Sequence, residues 1–98
     1  MAGMKVLIVG AGGREHALAI GLSESPSVES IHTCPGNEGT SMIGINHNVS
    51  DTYVDAIVKL ATKLSVDLVV VGPEAPLVSG LSDSLRDRGI PSFGPHSE

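Results

Sequence analysis

The stretch Val6-Leu7-Ile8-Val9-Gly10-Ala11-Gly12-Gly13-Arg14-Glu15-His16 decides the fold. Its first four residues are apolar without polar alternation, and three of them are β-branched. Such a run describes a strand buried on both faces, which calls for a parallel sheet with helices on each side. The glycines that follow make a tight turn. From Arg14 to Leu22 the pattern becomes helical, with Ala17, Leu18, Gly21 and Leu22 set to face inward. A second buried run, Leu68-Val69-Val70-Val71, also ends at a glycine, and weaker strands are expected around residues 30–33 and 90–93. Val54, Ile57, Val58, Ala61 and Leu64 form one apolar helical stripe, with Asp51 as its expected N-cap and Asp55–Lys59 as a supporting i,i+4 pair. Leu77, Leu81 and Leu85 mark another helix, closed by Gly89 with Pro91 beyond it. The order β-α-β-loop-α-β-α-β reads as a single α/β domain spanning residues 1–98, with an open doubly wound parallel sheet.

Composition narrows the function. In 98 residues there are 41% hydrophobic and 17% charged residues, so a folded core is expected rather than disorder. Six Lys and Arg stand against eleven Asp and Glu, a net charge of −5. Nucleic-acid and anionic-membrane partners need clustered cations and are therefore not expected. No apolar run reaches the ~20 residues of a spanning helix, and no signal-peptide pattern opens the chain, so a cytoplasmic location is expected. One cysteine, Cys34, excludes an internal disulfide and fits a reducing compartment. With only Tyr53 and Phe93 as aromatics, a base-stacking platform is excluded.

In a doubly wound sheet, ligands bind beyond the carboxyl ends of the strands. Three loops gather there: residues 10–13, 35–40 and 72–76. The first joins a buried strand to a helix start, so its backbone N–H groups and the positive helix end suit an anion, with Arg14 adding a cation. A dinucleotide site is disfavoured. The G-x-G-x-x-G fingerprint counted from Gly10 needs a glycine at position 15, where Glu15 stands, and the second strand ends in Cys34-Pro35 instead of an acid. Glu15 reads as an ordinary first-turn acid. His16 is either a base or a packed, hydrogen-bonded side chain. Asn37 and Thr40 belong either to a ligand wall or to a simple Pro-Gly turn, and Glu74 is either a ligand for hydroxyls or an amine, or a first-turn acid. Cys34 lacks the cationic surroundings of a nucleophile. His32, His47 and His96 are scattered singly, without metal-ligand spacing.

Taken together, residues 6–17, then Pro35-Gly36-Asn37-x-Gly39-Thr40, then residues 70–77 (Val-Val-Gly-Pro-Glu-Ala-Pro-Leu), then Phe93-Gly94-Pro95, resemble the amino-terminal domain of the phosphoribosylamine–glycine ligases, also called glycinamide ribonucleotide synthetases. The resemblance implies a pre-ATP-grasp, Rossmann-like domain. It also implies part of an ATP-dependent carbon–nitrogen ligase of purine biosynthesis, joining glycine to 5-phosphoribosylamine through an acyl phosphate. ATP and magnesium would be held by ATP-grasp lobes that follow in the family and on which this domain would pack. On that reading the chain alone is expected to carry no catalytic residue or metal ligand, to hold no cofactor and to be inactive. Its expected small-molecule partner is 5-phosphoribosylamine or glycinamide ribonucleotide. The resemblance and the loop chemistry assign Gly12, Gly13 and Arg14 to the phosphate, Asn37, Gly39 and Thr40 to the adjoining wall, and Glu74 to the ribose hydroxyls or the amine. The competing expectations are a dinucleotide-binding oxidoreductase domain and a non-catalytic interaction module working through its helix faces.

Overall fold

A computed structural model describes residues 3–72 and 80–94 of the chain. The apolar run at the start becomes β1 (Met4–Gly10), followed by α1 (Gly13–Ser23), β2 (Val28–Pro35), α2 (Glu38–Ser41), β3 (Ile45–Asn46), α3 (Val54–Leu64), β4 (Leu68–Val71), α4 (Leu81–Asp87) and β5 (Ser92–Phe93). All strand pairs are parallel and the sheet order is β3-β2-β1-β4-β5. The chain therefore winds outward from β1 in one direction, crosses back through α3, and winds outward again from β4. The reversal lies between β1 and β4, where such a sheet opens a crevice at its carboxyl edge. This is the expected single doubly wound α/β domain.

The unbroken apolar strands are explained by what covers them. Leu7, Val9, Cys34 and Val69 point to one face, packed by Ile57, Val58 and Ala61 of α3 and by Leu81 and Leu85 of α4. Val6, Ile8, Ile31 and Val70 point to the other, packed by Ala19, Leu18 and Leu22 of α1. Every residue from Val6 to Val9 is at most 1% exposed. At roughly 1.5–3 kcal/mol for each fully buried aliphatic side chain, this strand supplies a large share of the driving force for folding.

Several local expectations are corrected. On α1 the buried positions are Glu15 and Ala19, while Ala17 and Gly21 are exposed. The inward stripe is Glu15, Leu18, Ala19 and Leu22, a regular i, i+3, i+4, i+7 set whose first member is charged. Helix α3 starts at Val54 with Tyr53 as N-cap and no side-chain cap, so Asp51 lies outside it. Asp55 and Lys59 are both exposed and make no ion pair, since two solvated side chains gain little from holding one geometry. An ion pair does form on α4, between Arg86 and Asp83. Gly89 does end α4, at φ 75°, with the Ile90 and Gly89 amides donating to the Leu85 and Arg86 carbonyls. Leu77 lies outside the described residues. Among the described residues no helix is long and apolar enough to cross a membrane.

Candidate functional site

At the carboxyl end of β1 the backbone turns sharply through Gly10, whose φ of 140° is open to glycine and strained for other residues. Gly12 then caps α1 in an extended conformation, and its carbonyl accepts from the Glu15 and His16 amides at 3.1 and 3.3 Å. The Gly12 amide donates to the Glu15 carboxylate at 2.6 Å. Glu15 is fully buried. Its side chain lies across the reversal point of the sheet. A Cβ at Gly10 would sit 2.6 Å from Glu15 Cγ, and one at Gly72 would run into Glu15 Oε2. Gly72 is itself tied to β1 through its amide, which donates to the Val9 carbonyl at 2.9 Å. Thus the β1 and β4 tips approach closely, and the space between them holds a carboxylate from the chain itself. Gly13 and Arg14 remain exposed on the outer rim of the turn.

The second loop is joined to the first. Asn37 Nδ2 donates to the Ala11 carbonyl at 2.9 Å and to the Gly12 carbonyl at 3.0 Å. Asn37 Oδ1 accepts from the Thr40 amide at 2.9 Å, capping α2. The Thr40 hydroxyl accepts from the Asn37 amide at 2.8 Å and lies 2.8 Å from Asn46 Oδ1, to which it donates. Asn46 Nδ2 returns to the Asn37 carbonyl at 2.8 Å. Gly39 lies against the His16 ring, closely enough that a Cβ there would collide with it.

The structure therefore brings Gly12, Gly13, Arg14, Asn37, Gly39 and Thr40 into one region at the end of β1 and β2. Their roles within it differ. Thr40 is fully buried with its hydroxyl engaged, and Asn37 spends its amide group on the two loops. Both hold the wall in shape. Gly13 and Arg14 supply the exposed surface. Glu74 lies outside the described residues. Two contributors escaped the reading of the sequence: Glu15, dismissed as a first-turn acid, and Asn46, which gave no signal at all. Glu15 had one, since it occupies the first position of the inward stripe.

The histidines are not all solitary. His32 Nδ1 and His47 Nε2 are 2.9 Å apart, with ring centroids at 5.1 Å. Burial lowers the basicity of both, and the neighbouring charges of His47 and Lys5 (for His32) and of Lys63 (for His47) act in the same direction. Among the described residues no group of three or more His, Cys, Asp or Glu could hold a metal ion. Burial pushes the Cys34 thiol up to about 12, with the Asp51 carboxylate adding to it, in line with a packing role.

Comparison with known proteins gives this geometry its context. The chain is 50% identical over 95 residues to a phosphoribosylamine–glycine ligase of Streptomyces coelicolor, covering 97% of this chain and 23% of that protein. Proteins of the same description from Mycobacterium bovis and Vibrio cholerae are each 47% identical, over 92 and 94 residues. The chain thus spans less than a quarter of the length of these relatives. Among solved structures, a Rex-family repressor superposes with a TM-score of 0.61 at 16% identity, covering 94% of this chain and 44% of that one, a likeness of fold alone. Residues 4–98 match the family model described as phosphoribosylglycinamide synthetase, N domain, and the chain belongs to that family.

Proposed function

We propose that this chain serves as the amino-terminal, substrate-holding domain of a phosphoribosylamine–glycine ligase. In that role its first two loops grip the phosphate end of 5-phosphoribosylamine or glycinamide ribonucleotide. The observation that carries this reading is the 50% identity to a protein of that description across 97% of the chain, which takes in all three carboxyl-edge loops. The geometry supports it: a helix N-terminus with the Gly13 amide and the Arg14 guanidinium on an exposed rim suits one phosphate. Asn37 locks the neighbouring loop against that rim. Glu74 would complete the site at the ribose.

In this reading the enzyme is an ATP-dependent ligase acting in the cytoplasm, and this domain packs on ATP-grasp lobes. The described residues do not fit a nucleotide and its Mg²⁺. They present no cluster of metal ligands, and the seat at the glycine turn is filled by Glu15. On this reading ATP and Mg²⁺ would be held by the lobes, and the part played here is to hold and orient the sugar phosphate.

Titration of the chain with ribose 5-phosphate, followed by amide NMR, tests this. Saturable shifts are expected at Gly13, Arg14 and Asn37. Arg14→Ala should weaken binding about ten- to a hundredfold, the worth of a hydrogen bond to a charged group. Shifts scattered away from these loops, or unchanged affinity in Arg14→Ala, would refute the assignment.

A further inference from the structure

We infer that Glu15 is a specificity-determining residue: its carboxylate is a built-in anion that takes the diphosphate seat of the glycine turn and so bars dinucleotides and other diphosphates from this fold. In a doubly wound sheet the crevice at the reversal point, between the tips of β1 and β4, is where a ligand pyrophosphate reaches the first helix N-terminus. Three observations show that seat taken from within. The Gly12 amide, at the N-cap of α1, is bonded to Glu15 Oε1 at 2.6 Å. The side chain presses on Gly10 from one side and on Gly72 from the other, so it spans the gap between the two strand tips. Glu15 is also fully buried, which excludes a casual surface contact.

The arrangement is physically self-consistent. A carboxylate at a helix N-terminus gains from the dipole and from a charge-assisted hydrogen bond, as a bound phosphate would. A second anion brought to the same amide would meet both the charge and the bulk of the first. The glycines at 10 and 72 follow, because any larger residue at either place would displace the carboxylate. Position 15 is also where a dinucleotide fingerprint counted from Gly10 requires glycine. One residue thus fills the seat and removes the motif. Gly13 and Arg14 lie outside that seat, exposed on the outer rim of the turn. This inference stands apart from whichever sugar phosphate that rim receives.

The test uses inorganic pyrophosphate and reduced nicotinamide adenine dinucleotide as probes, with amide shifts as the readout, on the wild-type chain, Glu15→Gln and Glu15→Ala. In the wild-type chain neither probe should shift Gly10, Gly12 or Gly72 saturably. Glu15→Gln keeps the volume and an acceptor for the Gly12 amide but loses the charge, so weak pyrophosphate binding should appear at these glycines. Glu15→Ala, shown to be folded by its circular dichroism, should bind pyrophosphate at least tenfold tighter than the wild type. Should Glu15→Ala fail to fold, Glu15→Gln decides. Saturable wild-type binding at Gly12, or no gain in a folded variant, would overturn the inference. A parallel ribose 5-phosphate titration separates its failure from that of the proposed function, because that probe reads Gly13 and Arg14.

Discussion

Cys34 sits beside Val9 in the β1–β2 register, with its side chain buried on the face covered by α3. The thiolate is the reactive form, and burial has pushed the thiol up to about 12. At pH 8 about one thiol in ten thousand is then ionised, against about a quarter for a free cysteine. The folded chain should therefore react with a disulfide reagent at pH 8 at least a hundredfold more slowly than the urea-unfolded chain, a difference that a stopped-flow absorbance trace would show. Comparable rates would mean that the thiol is open to solvent. A similar contrast between residue type and surroundings explains why the site was only half legible. Glycines and Arg14 announce an anion site by their order in the chain. The role of Glu15 depends on how closely Gly10 and Gly72 approach it, and those two residues are brought together only by the β1–β4 pairing.

Helices α1 and α3 each carry one residue at odds with its backbone, in opposite senses. Gly21 lies inside α1, exposed, and a Cβ placed there would meet nothing within 4 Å. Gly21→Ala should stabilise the chain by about 0.5–1 kcal/mol, the difference in helix propensity. Ser65 ends α3 in the left-handed region at φ 56°, ψ 46°, with its amide reaching back to the Ala61 and Thr62 carbonyls. Glycine takes that conformation without the steric cost, so Ser65→Gly should add about 0.5–1 kcal/mol. The double variant should melt several degrees higher, at about 4–8 °C per kcal/mol for a domain of this size, and calorimetry would show it. A lower melting temperature in either single variant would contradict the local geometry. These elements also show what periodicity can reveal. The α3 stripe is apolar throughout and reads directly. The α1 stripe opens with a buried carboxylate, so the apolar residues Ala17 and Gly21 pulled the expected face away from its true position. Helix α2 and strand β3, of four and two residues, are too short for any period. They exist because Asn37, Thr40 and Asn46 bond to one another across nine positions of chain.

For the molecule as a whole, both edges of the sheet are short: β3 pairs with β2 through two residues, His32↔Ile45 and Thr33↔Asn46, as β5 does with β4 at the other edge. His47 follows β3 immediately and bonds His32, so the imidazole pair clasps the β3 edge to the sheet. In such a contact one ring donates and the other accepts, and both are ordinarily neutral. Burial lowers both histidines below their ordinary value of 6.5, and the charges of His47 and of Lys5 from β1 act the same way on His32, as that of Lys63 from α3 does on His47. The unfolded chain therefore takes up protons near pH 6.5 that the folded chain refuses. Stability is fully retained above that pH and falls as the pH drops below it, down to the folded-state values. The urea midpoint should decline between pH 7 and 5.5, and the His32→Asn/His47→Asn variant should flatten that decline. Proton NMR of the ring hydrogens should give both midpoints below 6.5 in the folded chain. A midpoint that holds steady to pH 5.5, or a ring that titrates at or above 6.5, would show that the clasp does not resist protonation and that the β3 edge is held by its ladder and the Asn46 network alone.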